Sequence, residues 1–216
     1  MIRPDERGNP RRGAPAREIR AAYRLLRRHN GHLRWWPGES AFEIAVGAIL
    51  TQNTAWTNAE QAIGALKTAR ALTCAGILAM PLPRLATLIL PAGYYRQKAR
   101  KLKCFVRFLQ GRYAGSLRRM AAAPTDRLRA ELLGVWGIGP ETADSILLYG
   151  CGHPAFVVDA YTRRVAERHG WIDGRASYAQ LQDLFVRVLP IDVDLYNDYH
   201  AQIVWVGKHH CRTSPR

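Results

Sequence analysis

Apolar residues recur at helical spacing along almost the whole chain, and this periodicity restricts the fold more than any other feature of the sequence. In residues 19–29 (IRAAYRLLRRH), for example, four apolar side chains fall on one helical face and the arginines fall mostly on the other. No stretch alternates with the period of two that a strand needs, and the apolar run at 156–158 is too short to count. We therefore predict an all-α protein of about ten helices.

The balance of charges points to the kind of partner. The chain of 216 residues carries a net charge of +15, with 32 Lys and Arg residues against 17 Asp and Glu residues. This excess favours a polyanionic partner, nucleic acid before a membrane surface, although a merely soluble basic protein has the same balance. No apolar run reaches the roughly 18 residues of a membrane span, so no membrane partner is predicted.

The N-terminal residues 1–18 are polar and rich in Arg, Pro and Gly, and we predict that they form a disordered basic tail. They lack the apolar segment of a secretory signal, and none of the four cysteines lies in a Cys-x-x-Cys pair. These features predict reduced thiols and a cytoplasmic protein, associated with the nucleoid if the source is bacterial.

A glycine-rich turn, Gly137-Ile138-Gly139-Pro140, separates two helical segments. Glycine can adopt positive φ and lets a backbone approach a ligand closely. Pro140 suits the first turn of the second helix, and a helix N-terminus is a ready phosphate site. A bare Gly-x-Gly is more often a simple tight turn, but the longer stretch 132–143 (LLGVWGIGPETA) is more specific. We predict that Gly137 and Gly139 contact a phosphate.

The stretch 132–143 resembles the helix-hairpin-helix of the DNA glycosylase superfamily typified by endonuclease III. Val158-Asp159, followed by Arg163 and Arg164, is similar to the segment that carries the catalytic aspartate of that family. The resemblance covers about residues 19–211. It implies an all-α, two-lobed glycosylase fold in which the hairpin binds a DNA phosphate, often with a monovalent cation.

The same resemblance implies a domain organisation. A central lobe of residues 41–150 would carry the hairpin, and a second lobe would combine residues 19–40 with 151–216. DNA and the damaged base are expected to enter a cleft between the two lobes.

Two carboxylates are the candidate catalytic groups. Cutting an N-glycosidic bond builds positive charge on the sugar, which the Asp159 carboxylate would stabilise while orienting or deprotonating water. Asp159 also suits a helix N-cap, and both roles are compatible. Glu141 stands where bifunctional relatives carry a lysine, and a carboxylate cannot form their imine with the sugar. Glu141 is then a second electrostatic group or a surface glutamate.

Three tryptophans are the candidate base pocket. Trp35, Trp36 and Trp56 are placed as in the endonuclease III-like 3-methyladenine DNA glycosylases, whose aromatic residues line the pocket for the flipped base. The resemblance implies an alkylated purine, which stacks well on indole because it is electron-poor. Large core side chains are the competing interpretation.

Four further residues are candidate DNA contacts. Gln52 matches the family's glutamine that fills the gap left by the flipped nucleotide, and Tyr94 stands where the family places a wedge between base steps. Arg96 and Lys98 begin a basic face suited to phosphates. A polar helix end at Gln52 and a solvated helix face are the competing interpretations.

The C-terminal segment bears on cofactors. Many endonuclease III relatives hold a [4Fe–4S] cluster on four cysteines, and only Cys211 of that pattern occurs here, because the chain stops at 216 before the next ligand position. Either the cluster has been lost or the chain is truncated. Residues 209–211 are too closely spaced for ordinary zinc ligation, so no metal site is predicted.

Taken together, these residues predict a monomeric, monofunctional base-excision repair glycosylase that hydrolyses the N-glycosidic bond of alkylated purines in double-stranded DNA. No cofactor is expected beyond the cation at the hairpin. A bifunctional glycosylase/lyase and a non-catalytic helix-hairpin-helix DNA-binding protein are the two alternatives.

Overall fold

The computed structural model describes residues 14–33, 36, 38–212 and 214, and in these residues the regular structure is entirely helical, as predicted. No helix within this part of the chain is long and apolar enough to cross a membrane. The α-helices are α1 (Ala14–Asn30), α2 (Ala41–Leu50), α3 (Trp56–Thr68), α4 (Cys74–Ala79), α5 (Leu82–Leu88), α6 (Tyr95–Tyr113), α7 (Leu117–Ala121), α8 (Thr125–Leu133), α9 (Pro140–Ser145), α10 (Ala160–Arg168), α11 (Tyr178–Val188) and α12 (Val193–His209). A 3₁₀-helix (Leu90–Ala92) precedes α6, and a π-helix (Ile146–Gly150) continues α9.

The chain divides into two compact units. The aspartate unit contains the described residues within 1–34, 158–191 and 198–216, and the hairpin unit contains those within 35–157 and 192–197. Helix α1 begins at Ala14, so residues 14–18 are helical where a disordered tail was predicted. Residues 1–13 lie outside the described residues.

Helix α2 is the central element of the hairpin unit. Its sequence, AFEIAVGAIL, is apolar nearly all round, and seven of its ten residues are buried. It packs against α3, α6, α9 and the π-helix. Ser40 caps its N-terminus, with Ser40 Oγ accepting a hydrogen bond from Glu43 N at 3.2 Å. The helix therefore gives the segment that follows it, which carries Gln52, a rigid base.

A buried carboxylate organises the aspartate unit. Asp198 has no exposed side-chain surface, and its Oδ2 accepts hydrogen bonds from Tyr23 Oη (3.1 Å) and Arg27 Nη1 (2.9 Å) on α1. Its Oδ1 accepts the backbone N–H of Leu33 at 2.9 Å. Since a buried carboxylate is costly unless every lone pair finds a donor, these bonds fix α1 and the segment after it onto α12.

Replacing this carboxylate should destabilise the protein substantially. We expect Asp198→Ala to lower the free energy of unfolding by about 2–4 kcal/mol, because several partly buried donors lose their acceptor at once. The control is Asp183→Ala, which removes an exposed ion pair with Arg187 and should cost less than about 1 kcal/mol. Urea unfolding followed by circular dichroism measures both, and equal losses would contradict this account of Asp198.

Candidate active site

The hairpin between α8 and α9 has the turn that its glycines predict, but only one of them needs positive φ. Gly137 adopts φ +86°, which favours glycine, whereas Gly139 caps α9 in an extended conformation with φ −93°. A Cβ at Gly137 would clash with the side chain of Lys101, whereas one at Gly139 would have no atom within 4 Å. Positive φ therefore explains the glycine at 137 only, whereas the missing side chain of Gly139 leaves an open surface.

Gln52 lies in the segment after α2 and is bonded to the hairpin. Its Nε2 donates to Gly137 O at 3.1 Å and to Thr142 Oγ1 at 2.8 Å. Its Oε1 accepts a hydrogen bond from Lys101 Nζ, and burial lowers the pKa of Lys101. In this structure Gln52 therefore fixes the hairpin turn. Filling a gap in DNA would require it to exchange these bonds, and that role stays a prediction.

The turn before α6 presents the predicted wedge. Tyr94 is 69% exposed and sits at φ +43°, directly after Gly93 at φ +67°. Two successive residues with positive φ make a sharp turn, and the left-handed conformation strains a tyrosine. Arg96 is also exposed, with its guanidinium 5.8 Å from the centre of the Tyr95 ring. The position of Tyr94 and Arg96 suits contact with a large ligand.

Lys98 does not share this exposure. It is 2% exposed, and its Nζ donates to the carbonyl oxygens of Leu50 (2.8 Å) and Ala92 (2.6 Å). Burial, with repulsion from Lys101, lowers the pKa of Lys98 to about 8. This placement contradicts the predicted phosphate contact, because the third residue of a mostly polar run, 96–101, turns inward on α6.

Aromatic side chains cluster in the hairpin unit. Trp36 stacks on Tyr149 with ring centroids 4.8 Å apart and an interplanar angle of 19°, and Trp56 meets it edge-on at 5.5 Å. Trp36 has φ +77°, a rare conformation for a bulky residue. Trp35 lies outside the described residues. The sequence interpretation missed Tyr149, whose only signal was an aromatic residue in an apolar helix; the π-helix sets its direction.

Asp159 lies at the N-terminus of α10, where its side chain is 15% exposed. Its Oδ1 accepts hydrogen bonds from Thr162 N (2.7 Å) and Thr162 Oγ1 (3.0 Å), which confirms the N-cap interpretation. Its Oδ2 lies 3.5 Å from His200 Nε2. Burial raises the pKa of Asp159, but His200 and the Thr162 donors outweigh burial and hold it below its usual range. Asp159 is therefore ionised at neutral pH.

His200 carried no signal in the sequence. It lies on α12, is 4% exposed, and is more than 40 residues from Asp159 along the chain. Only the packing of α10 with α12 inside the aspartate unit brings the two side chains together.

Glu141 occupies the first turn of α9 and is exposed. A carboxylate is favourable there because the helix dipole is positive at its N-terminus. The position after the hairpin thus holds an acid and not an amine. Asp159 belongs to the aspartate unit, whereas Glu141, Gln52, Tyr94 and the aromatic cluster belong to the hairpin unit.

The cysteines do not form a ligand set in the part of the chain that the structure describes. Cys74 is buried, and no three His, Cys, Asp or Glu side chains there are grouped to hold a metal ion. Cys211 Sγ instead accepts a hydrogen bond from Arg168 Nη1 at 3.3 Å. These residues do not fit a four-iron cluster, which needs several thiolates.

Comparison with known proteins agrees with this geometry. Residues 46–190 match the family described as HhH-GPD superfamily base excision DNA repair protein. A protein of Methanocaldococcus jannaschii, whose name places it among DNA repair glycosylases, is 46% identical over 192 residues, covering 88% of this chain and 87% of that protein.

Solved structures share the fold. The Helicobacter pylori 3-methyladenine DNA glycosylase bound to 1,N6-ethenoadenine is 27% identical with a TM-score of 0.74, covering 90% of this chain and 97% of that one. A trapped endonuclease III–DNA covalent intermediate has a TM-score of 0.79 at 23% identity, covering 93% of this chain and 90% of that one.

A glycine hairpin followed by a capped, ionised aspartate in an all-helical chain defines a helix-hairpin-helix DNA glycosylase. The chain belongs to the HhH-GPD superfamily of base excision DNA repair proteins. It is a DNA N-glycosylase, as the sequence predicts.

Proposed function

We propose that this glycosylase is monofunctional and hydrolyses the N-glycosidic bond of alkylated purines in double-stranded DNA, with water as the nucleophile. The observation that carries the proposal is that the chain has an ionised Asp159 and, at the hairpin position where an imine-forming enzyme needs an amine, the carboxylate of Glu141.

Asp159 supplies the chemistry. As the bond from C1′ to the purine nitrogen breaks, the electron pair leaves with the base and positive charge develops on the sugar. The fixed carboxylate stabilises that charge without reorganising, because Thr162 and His200 already hold it. Water then adds to C1′, and its proton passes to Asp159 or to solvent, which acts as the general base. The product is an abasic site in an intact strand, and no cofactor takes part.

The aromatic cluster supports the choice of base. Alkylation at a purine ring nitrogen leaves the base cationic, and such a base is attracted to the faces of Trp36, Trp56 and Tyr149. The Trp36 indole N–H is buried and finds no acceptor among the described residues, so it can donate to a purine nitrogen or oxygen. The H. pylori enzyme named for 3-methyladenine and bound to an ethenoadenine supports the same class.

The hairpin unit supplies the proposed grip on DNA. The open backbone at Gly139 approaches a phosphate, and the hairpin would hold a monovalent cation that supplies positive charge there, while Arg96 binds a second phosphate. Tyr94 enters the base stack as a wedge, and Gln52 moves to the vacated gap. One chain is expected to suffice.

A side chain at Gly139 should weaken DNA binding without disturbing the fold. Valine tolerates the observed extended conformation, and its Cβ would meet no atom within 4 Å, so we expect the substitution to block only the phosphate contact. We expect an affinity loss of about tenfold, or 1.4 kcal/mol, for lesion-containing duplex at fixed salt. Gly64→Val, which also meets open space on α3, is the control. Unchanged affinity in folded Gly139→Val would argue against a phosphate at the hairpin.

Removing the charge of Asp159 should abolish most base release. Asn is an equally good N-cap, so Asp159→Asn keeps α10 and loses only the carboxylate. Single-turnover excision of 3-methyladenine or 7-methylguanine should fall by about 10² or more, with DNA affinity retained. Glu141→Gln in parallel tests the second carboxylate. Wild-type excision by Asp159→Asn would remove Asp159 from the mechanism.

Strand nicking should lag far behind base release. The relevant measurement is a parallel time course of both products on a 7-methylguanine duplex, with borohydride present in a second set. Water attack predicts nicking only after alkali and no trapped protein–DNA adduct, since trapping requires an imine.

Lys101 is the best candidate for an imine-forming amine in this chain, because it lies beside Gln52 and has a lowered pKa. Nicking that keeps pace with base release, together with an adduct that disappears in Lys101→Met, would show an AP lyase built on a different lysine.

A further inference from the structure

Lys98 is a buried charge that the proposed chemistry does not use. The residue is 2% exposed, and both partners of its ammonium group are main-chain carbonyl oxygens from separate segments: Leu50 O at the end of α2 and Ala92 O at the end of the 3₁₀-helix. Lys101, one turn along α6, adds repulsion. Burying a lysine in this way is expensive, and an apolar side chain would fill the same space more cheaply.

The two carbonyls have one feature in common. Leu50 is two residues before Gln52, and Ala92 is two residues before Tyr94. Lys98 therefore links the starts of the two chain segments that carry the proposed gap-filling residue and the proposed wedge residue. Carbonyls at helix ends carry partial negative charge, so a cation is the group best suited to hold two of them at once.

The segment that ends at Tyr94 needs such a restraint. Gly93 and Tyr94 both have positive φ, and a left-handed tyrosine persists only where its surroundings enforce it. The Ala92 carbonyl directly precedes this strained turn, and Lys98 is bonded to it at 2.6 Å. Loss of the bond would let the turn relax and move the exposed tyrosine.

We propose that Lys98 is a positioning residue that fixes Gln52 and Tyr94 relative to each other, so that both enter the DNA in one step. The inference rests on the proposed function of those two residues. Lys98 itself does not contact DNA. Its loss should slow insertion and base flipping rather than weaken the first encounter with the duplex.

The same helix offers a matched control. Lys103 is also buried on α6, at 8% exposure, and its Nζ likewise donates to two main-chain carbonyls, those of Leu78 and Met80. Neither carbonyl leads to a proposed DNA-inserting residue. Lys98→Met and Lys103→Met thus remove equivalent interactions, and they differ in which segments are released.

The experiment uses the full chain and a 7-methylguanine duplex with 2-aminopurine next to the lesion, whose fluorescence rises when the stack opens. We expect Lys98→Met to slow both this rise and single-turnover base release by about tenfold, with little change in KM. A small misplacement of Gln52 and Tyr94 slows insertion and base flipping rather than the first binding of DNA. Lys103→Met should match wild type at equal folded fraction. If Lys98→Met does not fold, Lys98→Gln, which keeps a neutral N–H donor group, is measured in the same way.

Each result has one reading. Equal rates for the folded Lys98 and Lys103 variants would overturn the positioning role while leaving the glycosylase proposal intact. If Lys98→Met changed KM alone and left the rate of the fluorescence rise unchanged, the positioning role would also be overturned. Absence of both base release and the fluorescence rise in wild type would instead refute the proposed function on which the inference rests.

Discussion

The side-chain amide of Gln52 links three segments of the hairpin unit that are far apart in sequence. It donates to the hairpin at Gly137 and Thr142 and accepts from Lys101 on α6. Lys98 lies one turn earlier on α6, and its two bonds hold the end of α2 and the turn that carries Tyr94. The segments joined in this way are loops or helix ends, which are mobile unless such bonds restrain them. A ligand that spans all three would find them already arranged.

In the aspartate unit, the main physical constraint is that Asp159 is partly buried and yet stays ionised. A partly buried carboxylate tends to take up a proton, which would remove the charge that N-glycosidic cleavage needs. Capping α10 places two Thr162 donors on Oδ1, and α12 brings His200 to Oδ2. The N-cap is therefore compatible with the proposed catalytic role, because the Thr162 donors, together with His200, keep Asp159 ionised.

The sequence predicts what depends on local rules. Helical periodicity gives the all-α fold, Pro140 gives the start of α9, and the spacing from the hairpin to Asp159 gives the family. It fails where an outcome depends on packing between distant segments. In the sequence, Lys98 looks like one more basic residue in a polar run, yet its carbonyl partners are 48 and 6 residues away. His200 and Tyr149 have no local pattern, because their partners are set by α12 and by a π-helix.

Trp36 shows how such failures point to function. A bulky residue at φ +77° is strained by about 1–3 kcal/mol, and its buried indole N–H lacks an acceptor in the described part of the chain. Stacking on Tyr149 offsets part of this cost, and the π-helix that aims Tyr149 is itself an unfavourable backbone arrangement. Several unfavourable features in one cluster are hard to explain by stability alone. They are expected if an aromatic ligand that accepts a hydrogen bond completes the arrangement.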